Sequence, residues 1–135
     1  SILGVMHDYS ANDASVADLD GDGDLDIIAA SNYERDIFIL TNNGSGTFSK
    51  TTITEPLSQQ IKGIELGDLD GDGDVDLIYL SSYGFMYVPN ISSSANNISF
   101  DFTNRVDLAG NLSPSNGFKL VDVNEDNKLD ILYSI

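Results

Sequence analysis

Aspartates recur at alternate positions in three short stretches of this 135-residue chain. The first stretch runs Asp18-Leu19-Asp20-Gly21-Asp22-Gly23-Asp24-Leu25-Asp26, and the second Asp68-Leu69-Asp70-Gly71-Asp72-Gly73-Asp74-Val75-Asp76. A drifted third reads Asp122-Val123-Asn124-Glu125-Asp126-Asn127-Lys128-Leu129-Asp130. Carboxylates at positions 1, 3 and 5 of a tight loop point inward together. A backbone carbonyl at position 7 (Asp24, Asp74, Lys128) and an oxygen at position 9 (Asp26, Asp76, Asp130) would complete the shell. A flexible set of six to eight hard oxygens suits Ca²⁺ better than Mg²⁺. With no cysteine and one histidine, softer metals find few ligands. Position 6 requires a sharp turn and holds Gly23, Gly73 and Asn127; Asn is the best substitute for glycine in a left-handed conformation. Two carboxylates about 4 Å apart repel by about 1 kcal/mol in water and about 4 kcal/mol at an effective dielectric near 20. Four converging carboxylates should therefore open the loop unless a cation holds it, and up to three Ca²⁺ are expected.

Two other readings of the loops compete with this one. One is a solvated acidic turn, which three copies with matched flanks disfavour. The other is the EF-hand, whose loop also begins D-x-D-x-D-G. That motif needs Glu at position 12 and helices on both sides, whereas position 12 here is Ala29, Tyr79 and Tyr133. The residues that follow each loop form β-type runs.

The elements that position the loops repeat with them. Residues 1–9 read as a lone strand and Ser10 to Asp13 as a turn. A short strand, Ala14 to Ala17, leads into the first loop, and Leu25 through Ala30 leave it as an apolar run suited to a strand buried on both faces. Asp36–Thr41 and Thr47–Thr54 read as third and fourth strands, separated by a turn at Asn42–Gly46. The cycle restarts fifty residues on, with Val75–Leu80, Phe85–Asn90 and Ile98–Thr103 as its later strands and Ser92–Asn97 as a polar turn. A third cycle begins at Phe118 and Leu120 and runs into Leu129–Tyr133. Repeats of about fifty residues with four short strands indicate a β-propeller blade. The expectation is an all-β fold, a partial β-propeller of four-stranded blades with a calcium loop between the first and second strands of each. Residues 1–13 would be the last strand of an incomplete blade, 14–63 blade one, 64–117 blade two and 118–135 the first half of blade three.

The net charge of −16, with six Lys and Arg, disfavours nucleic acid and anionic membranes. Three bound Ca²⁺ would bring it to −10. No run approaches the roughly 18 apolar residues of a membrane span, and the first residues show no signal peptide. The absence of cysteine excludes a disulfide scaffold. Four Asn-x-Ser triplets, at Asn43, Asn90, Asn97 and Asn111, read as chance in a chain rich in Asn and Ser. An enzyme is not expected. His7 is the sole histidine, no G-x-S-x-G appears, and metal-clustered aspartates lack the apolar cleft that raises the pKa of an acid catalyst.

Residues 17–28 and 67–78, with a partial copy over 121–132, resemble the FG-GAP/VCBS family of calcium-binding propeller repeats. With the strands between them, the resemblance spans nearly the whole chain. The Phe-Gly and Gly-Ala-Pro elements are missing, with Ala29-Ala30-Ser31 and Tyr79-Leu80-Ser81 where the latter would fall, which moves the match toward the VCBS type. The resemblance implies an extracellular or cell-surface setting and roles in adhesion, carbohydrate binding or as an accessory module of secreted enzymes. In such a propeller Tyr33 and Arg35, with Tyr83 and Gly84, fall in equivalent turns on the face opposite the loops. They form a candidate face for a glycan or protein ligand, unless the tyrosines pack between blades. Too few strands are present to close a ring. Either copies complete one another head-to-tail, or the remainder of a larger propeller covers the ends. A spacer or assembly unit that binds only calcium and its neighbours is the competing function.

Overall fold

A computed structural model describes residues 11–31, 35–53, 60–110 and 116–134. The lone strand expected at 1–9, Tyr33 and Asn111 lie outside the described residues. The first repeat forms a four-stranded antiparallel sheet of β1 (Ala11–Ala17), β2 (Asp26–Ser31), β3 (Ile37–Asn42) and β4 (Phe48–Ile53), paired in sequence order. The second repeat does the same with β5 (Ile61–Gly67), β6 (Asp76–Ser81), β7 (Gly84–Val88) and β8 (Val106–Gly110). The third contributes a hairpin, β9 (Asn116–Val121) and β10 (Asp130–Ser134). Among the described residues the fold is thus all-β, with one 3₁₀ turn at Phe102–Asn104. It holds no helix long and apolar enough to cross a membrane.

The second strands are apolar on both faces because each is sandwiched. Ile28, Ala30, Ile37 and Ile39 of the first sheet pack against Ile64, Leu77, Tyr79 and Val88 of the second. The opposite face of the second sheet, Ile78, Leu80 and Phe85, packs against Phe118, with Leu120 and Ile131 beside them. The Phe85 ring meets Phe118 edge-on at 5.0 Å, an arrangement favoured by the ring quadrupoles. Alternate residues of β6 therefore serve two different interfaces, which a period of two requires. Polar bonds add to the seam between the first strands. The Asn12 amide donates to the Ile61 carbonyl at 3.1 Å, and the Ile64 N–H donates to Asp13 at 2.9 Å. Lys119 of β9 pairs with Glu65 of β5.

Two expectations need correction. Ala11 to Asp13 are not a turn but the start of β1, with a register shift between Ala11 and Asp13. The fourth strand of the second sheet is Val106–Gly110, not Ile98–Thr103. Asp101 accepts from the N–H groups of Thr103 and Asn104 and winds the 3₁₀ turn. Phe100 and Phe102 are thereby buried in the core between the sheets. Phe100 keeps only an isolated bridge to Asn90.

Candidate metal centre

All three acidic stretches lie where expected, each joining the first and second strands of its repeat. Their backbones are bent the same way by the same side chains. The position-1 aspartate organises each loop. Asp18 accepts from Gly21 N (2.8 Å), Asp22 N (3.1 Å) and Gly23 N (2.9 Å). Asp68 accepts from Gly71 N (2.7 Å) and Gly73 N (3.1 Å), and Asp122 from Asp126 N (3.1 Å) and Asn127 N (2.8 Å). Asp20, Asp70 and Asn124 accept from the N–H two residues on, and so do Asp22, Asp72 and Asp126. The last three donors belong to Asp24, Asp74 and Lys128, the position-7 residues. The cradle of N–H groups offsets part of the carboxylate repulsion, a contribution the charge count alone omitted.

Position 6 is left-handed as expected, with φ of 95° at Gly23, 96° at Gly73 and 65° at Asn127. Position 4 is left-handed too, at Gly21 (74°), Gly71 (83°) and Glu125 (61°). Glu125 alone carries a Cβ there without the short polar side chain that eases such a backbone.

Position 9 has a second task. Asp26 and Asp76 are fully buried. Asp26 accepts from Leu19 N at 2.9 Å and from Asn42 N, at the end of β3, at 2.8 Å. Asp76 does likewise with Leu69 N at 3.0 Å and Asn90 N at 2.9 Å. Asp26 latches its loop to the last residue of β3, and Asp76 latches its loop to Asn90, two residues beyond β7. Burial pushes both carboxyls above their ordinary range. The two N–H bonds oppose this, and the charges of positions 3 and 5 reinforce it. Asp130 makes only the loop half of the latch, to Val123 N at 3.1 Å.

The donor set fits a hard cation. In the first loop Asp18, Asp20 and Asp22 each present an oxygen within 4.8 Å of the others, and in the second Asp68, Asp70 and Asp76 do so. Two ligands that each sit about 2.4 Å from one calcium ion can be no further apart than about 4.8 Å. Asp72 is absent from the second group and Asp26 from the first. The third loop substitutes Asn124 for one carboxylate and Lys128 for another acidic residue. Asn127 and Lys128 line a cleft of ≈ 380 Å³ together with Asp68, Leu69, Asp70 and Gly71, so the second and third loops are neighbours.

Three residues that sequence reasoning passed over touch these loops. The Tyr87 hydroxyl donates to Asp70 at 2.7 Å, and burial, then this bond, raise the Tyr87 pKa. The Asn96 N–H, in the turn after β7, donates to Asp20 of the preceding repeat. The Asn90 amide donates to the Leu19 and Val75 carbonyls at 2.9 Å each, while its Oδ1 accepts from Ser92 N. Asn90 is a buried bridge between repeats, not a surface glycan acceptor. No local signal marks Tyr87 or Asn96, whose partners lie 17 and 76 residues away. For Asn90 a signal existed: it repeats Asn42, whose N–H and amide bond Asp26 and Leu25 in the same way.

On the opposite ends of the strands, the turn between β6 and β7 presents Tyr83, which is 59% exposed and so does not pack between sheets. Arg35 stands in the equivalent turn of the first repeat with φ 61°.

Comparison with curated proteins and with solved structures gives no significant match. Residues 18–79 match the family model described as an FG-GAP-like repeat. That span runs from the first acidic loop through the second and into β6. The segment that carries the two best-formed loops is therefore similar to an FG-GAP-like repeat.

Proposed function

We propose that the chain is a calcium-stabilised, extracellular β-propeller-type repeat module used for binding or adhesion. The observation that supports this most is the recurrence of one hydrogen-bond pattern in three loops, two of which gather three carboxylate oxygens within 4.8 Å. When bound, calcium would neutralise the converging charges. Asp18, Asp20 and Asp22 in the first loop, and Asp68, Asp70 and Asp76 in the second, would hold it. Because Asp26 and Asp76 tie each loop to the chain at or just past the end of a third strand, ion binding would stiffen whole sheets. Weak sites of this kind work where calcium is abundant, which suits an extracellular setting. The exposed Tyr83 with Arg35 on the far ends supports a ligand face for a glycan or protein. A spacer role, or that of a non-catalytic accessory module of a secreted carbohydrate-active enzyme, is the alternative. Calorimetric titration with calcium tests the ion, with Asp18→Asn and Asp68→Asn each expected to remove one site. A flat titration of the unsubstituted chain would refute the reading. Glycan screening with Tyr83→Ala tests the ligand face: binding unchanged by the substitution excludes Tyr83.

A further inference from the structure

The first acidic loop is held from outside its own repeat. Leu19, between Asp18 and Asp20, is 2% exposed and belongs to the core cluster that contains Val88, Phe100 and Phe102 of the second repeat. Its carbonyl accepts from the Asn90 amide at 2.9 Å, and the same NH₂ reaches the Val75 carbonyl of the second loop at 2.9 Å. The Asn90 main chain is fixed as well, since its N–H donates to the buried Asp76 at 2.9 Å. Asn90 is itself buried, so these donors have little water to turn to if a partner moves. It thus ties the stretch between two candidate ligands of the first loop to position 9 of the second.

A second tie reaches a candidate ligand directly. The Asn96 N–H donates to Asp20 Oδ2, while Asp20 Oδ1 accepts from Asp22 N within the loop. In the second loop the corresponding oxygen, on Asp70, takes the Tyr87 hydroxyl of its own repeat. The first repeat has Ile39 in the place of Tyr87 and offers no such hydroxyl, so the donor to Asp20 comes from the next repeat. Both ties belong to one unit. Asn90 Oδ1 accepts from Ser92 N at 2.9 Å, Ile91 N donates to the Ser99 carbonyl at 2.8 Å, and Asn97 N donates to the Ser94 carbonyl at 3.1 Å. Asn96 is left-handed at φ 61°, a conformation that its residue type tolerates.

We propose that Asn90 and the turn from Ile91 to Ser99 are positioning groups for the first loop, so that its ion site is built by two repeats. The proposal rests on the reading of that loop as a calcium site. Asn90 and Asn96 touch no ion. One fixes the main chain between two ligands, and the other restrains the outer oxygen of a ligating carboxylate, as partners of metal ligands do elsewhere. The affinity of the first site then depends on how the second repeat is docked.

Amide NMR during a calcium titration tests this. The N–H groups of Gly23 and Gly73, bonded to Asp18 and Asp68, report the two loops separately. The Asn96 N–H, although it lies in the second repeat, should shift in step with Gly23. Asp18→Asn should abolish the Asn96 response and leave that of Gly73. An Asn96 amide that follows Gly73, or stays still while Gly23 moves, would overturn the proposal and leave the ion reading standing. A Gly23 amide that does not respond in the unsubstituted chain would refute the ion reading and the proposal with it. Asn90→Ala removes the donor to Leu19 and should raise the calcium concentration at the Gly23 midpoint by about tenfold, the lower end of what losing a partner of a metal ligand costs. An unchanged midpoint in a folded Asn90→Ala chain would also overturn the proposal. If that chain does not fold, the Asn96 response in the unsubstituted chain decides by itself.

Discussion

Replacing Asp76 by Asn isolates the latch from the ion. The carboxylate is fully buried and accepts two backbone N–H groups, from Leu69 at 3.0 Å and Asn90 at 2.9 Å. An Asn side chain offers one oxygen and one NH₂, so whichever way it turns, one N–H loses its acceptor and faces another donor. A hydrogen bond to a charged group contributes about 1.5–3 kcal/mol, and a buried donor left without a partner costs about 1–3 kcal/mol of the same loss. Against this, the substitution relieves the desolvation that raises the Asp76 pKa and its repulsion with Asp70 and Asp72, which holds the net loss toward the lower end of that range. The net loss is about 2 kcal/mol, or about 6–10 °C in Tm for a domain of this size. Asp130→Asn is the internal reference, since Asp130 is only half-buried and holds one N–H; it should lose no more than about 0.5 kcal/mol. Both are compared with the unsubstituted chain by urea unfolding in chelator, so that no ion contributes. Equal losses, or an Asp76→Asn chain more stable than its parent, would show that relief of the buried charge outweighs the N–H bonds.

Other expectations follow from the same geometry. Asp26 and Asp76 hold their protons more tightly in the folded chain than the ordinary value of 3.8 implies. Their protonated forms therefore favour folding, and this contribution is lost as pH rises through the folded-state values. In chelator the urea midpoint should fall as pH rises above the ordinary carboxylate value, and excess calcium, which favours the ionised form, should reverse the trend. A midpoint that rises in chelator would contradict this. Glu125→Gly removes a side chain from a left-handed backbone at φ 61° and should stabilise the folded chain by about 1 kcal/mol, read by thermal denaturation. Tyr87→Phe deletes the hydroxyl that donates to Asp70 and should cost about 1 kcal/mol without changing the fold. The apolar Ile39 already occupies the equivalent place in the first repeat.

Local information carried the loops and the strands beside them, because both the alternation of aspartates and the period of two are short-range patterns. The left-handed positions 6 were read correctly for the same reason. The stretch Ile98-Ser99-Phe100-Asp101-Phe102 shows the limit: its alternation looks like a strand. Asp101 instead caps a turn that sends Phe100 and Phe102 into the core between sheets. Position 9 looked like another ion ligand, and only the fold shows Asp26 and Asp76 bonded to Asn42 and Asn90, 14–16 residues away. The contacts of Tyr87 and Asn96 with loop carboxylates depend on how sheets stack, which no window of sequence reports.

The cradle of main-chain N–H groups bears on how quickly an ion could come and go. Each loop is shaped in part by bonds between its own side chains and its own backbone, so part of its curvature is set by the chain itself. A cation arriving at such a partly pre-bent loop would shed water and have less of the backbone to rearrange. Exchange should then be governed by dehydration of the ion rather than by refolding of the chain, and the module would follow changes in its surroundings without coming apart.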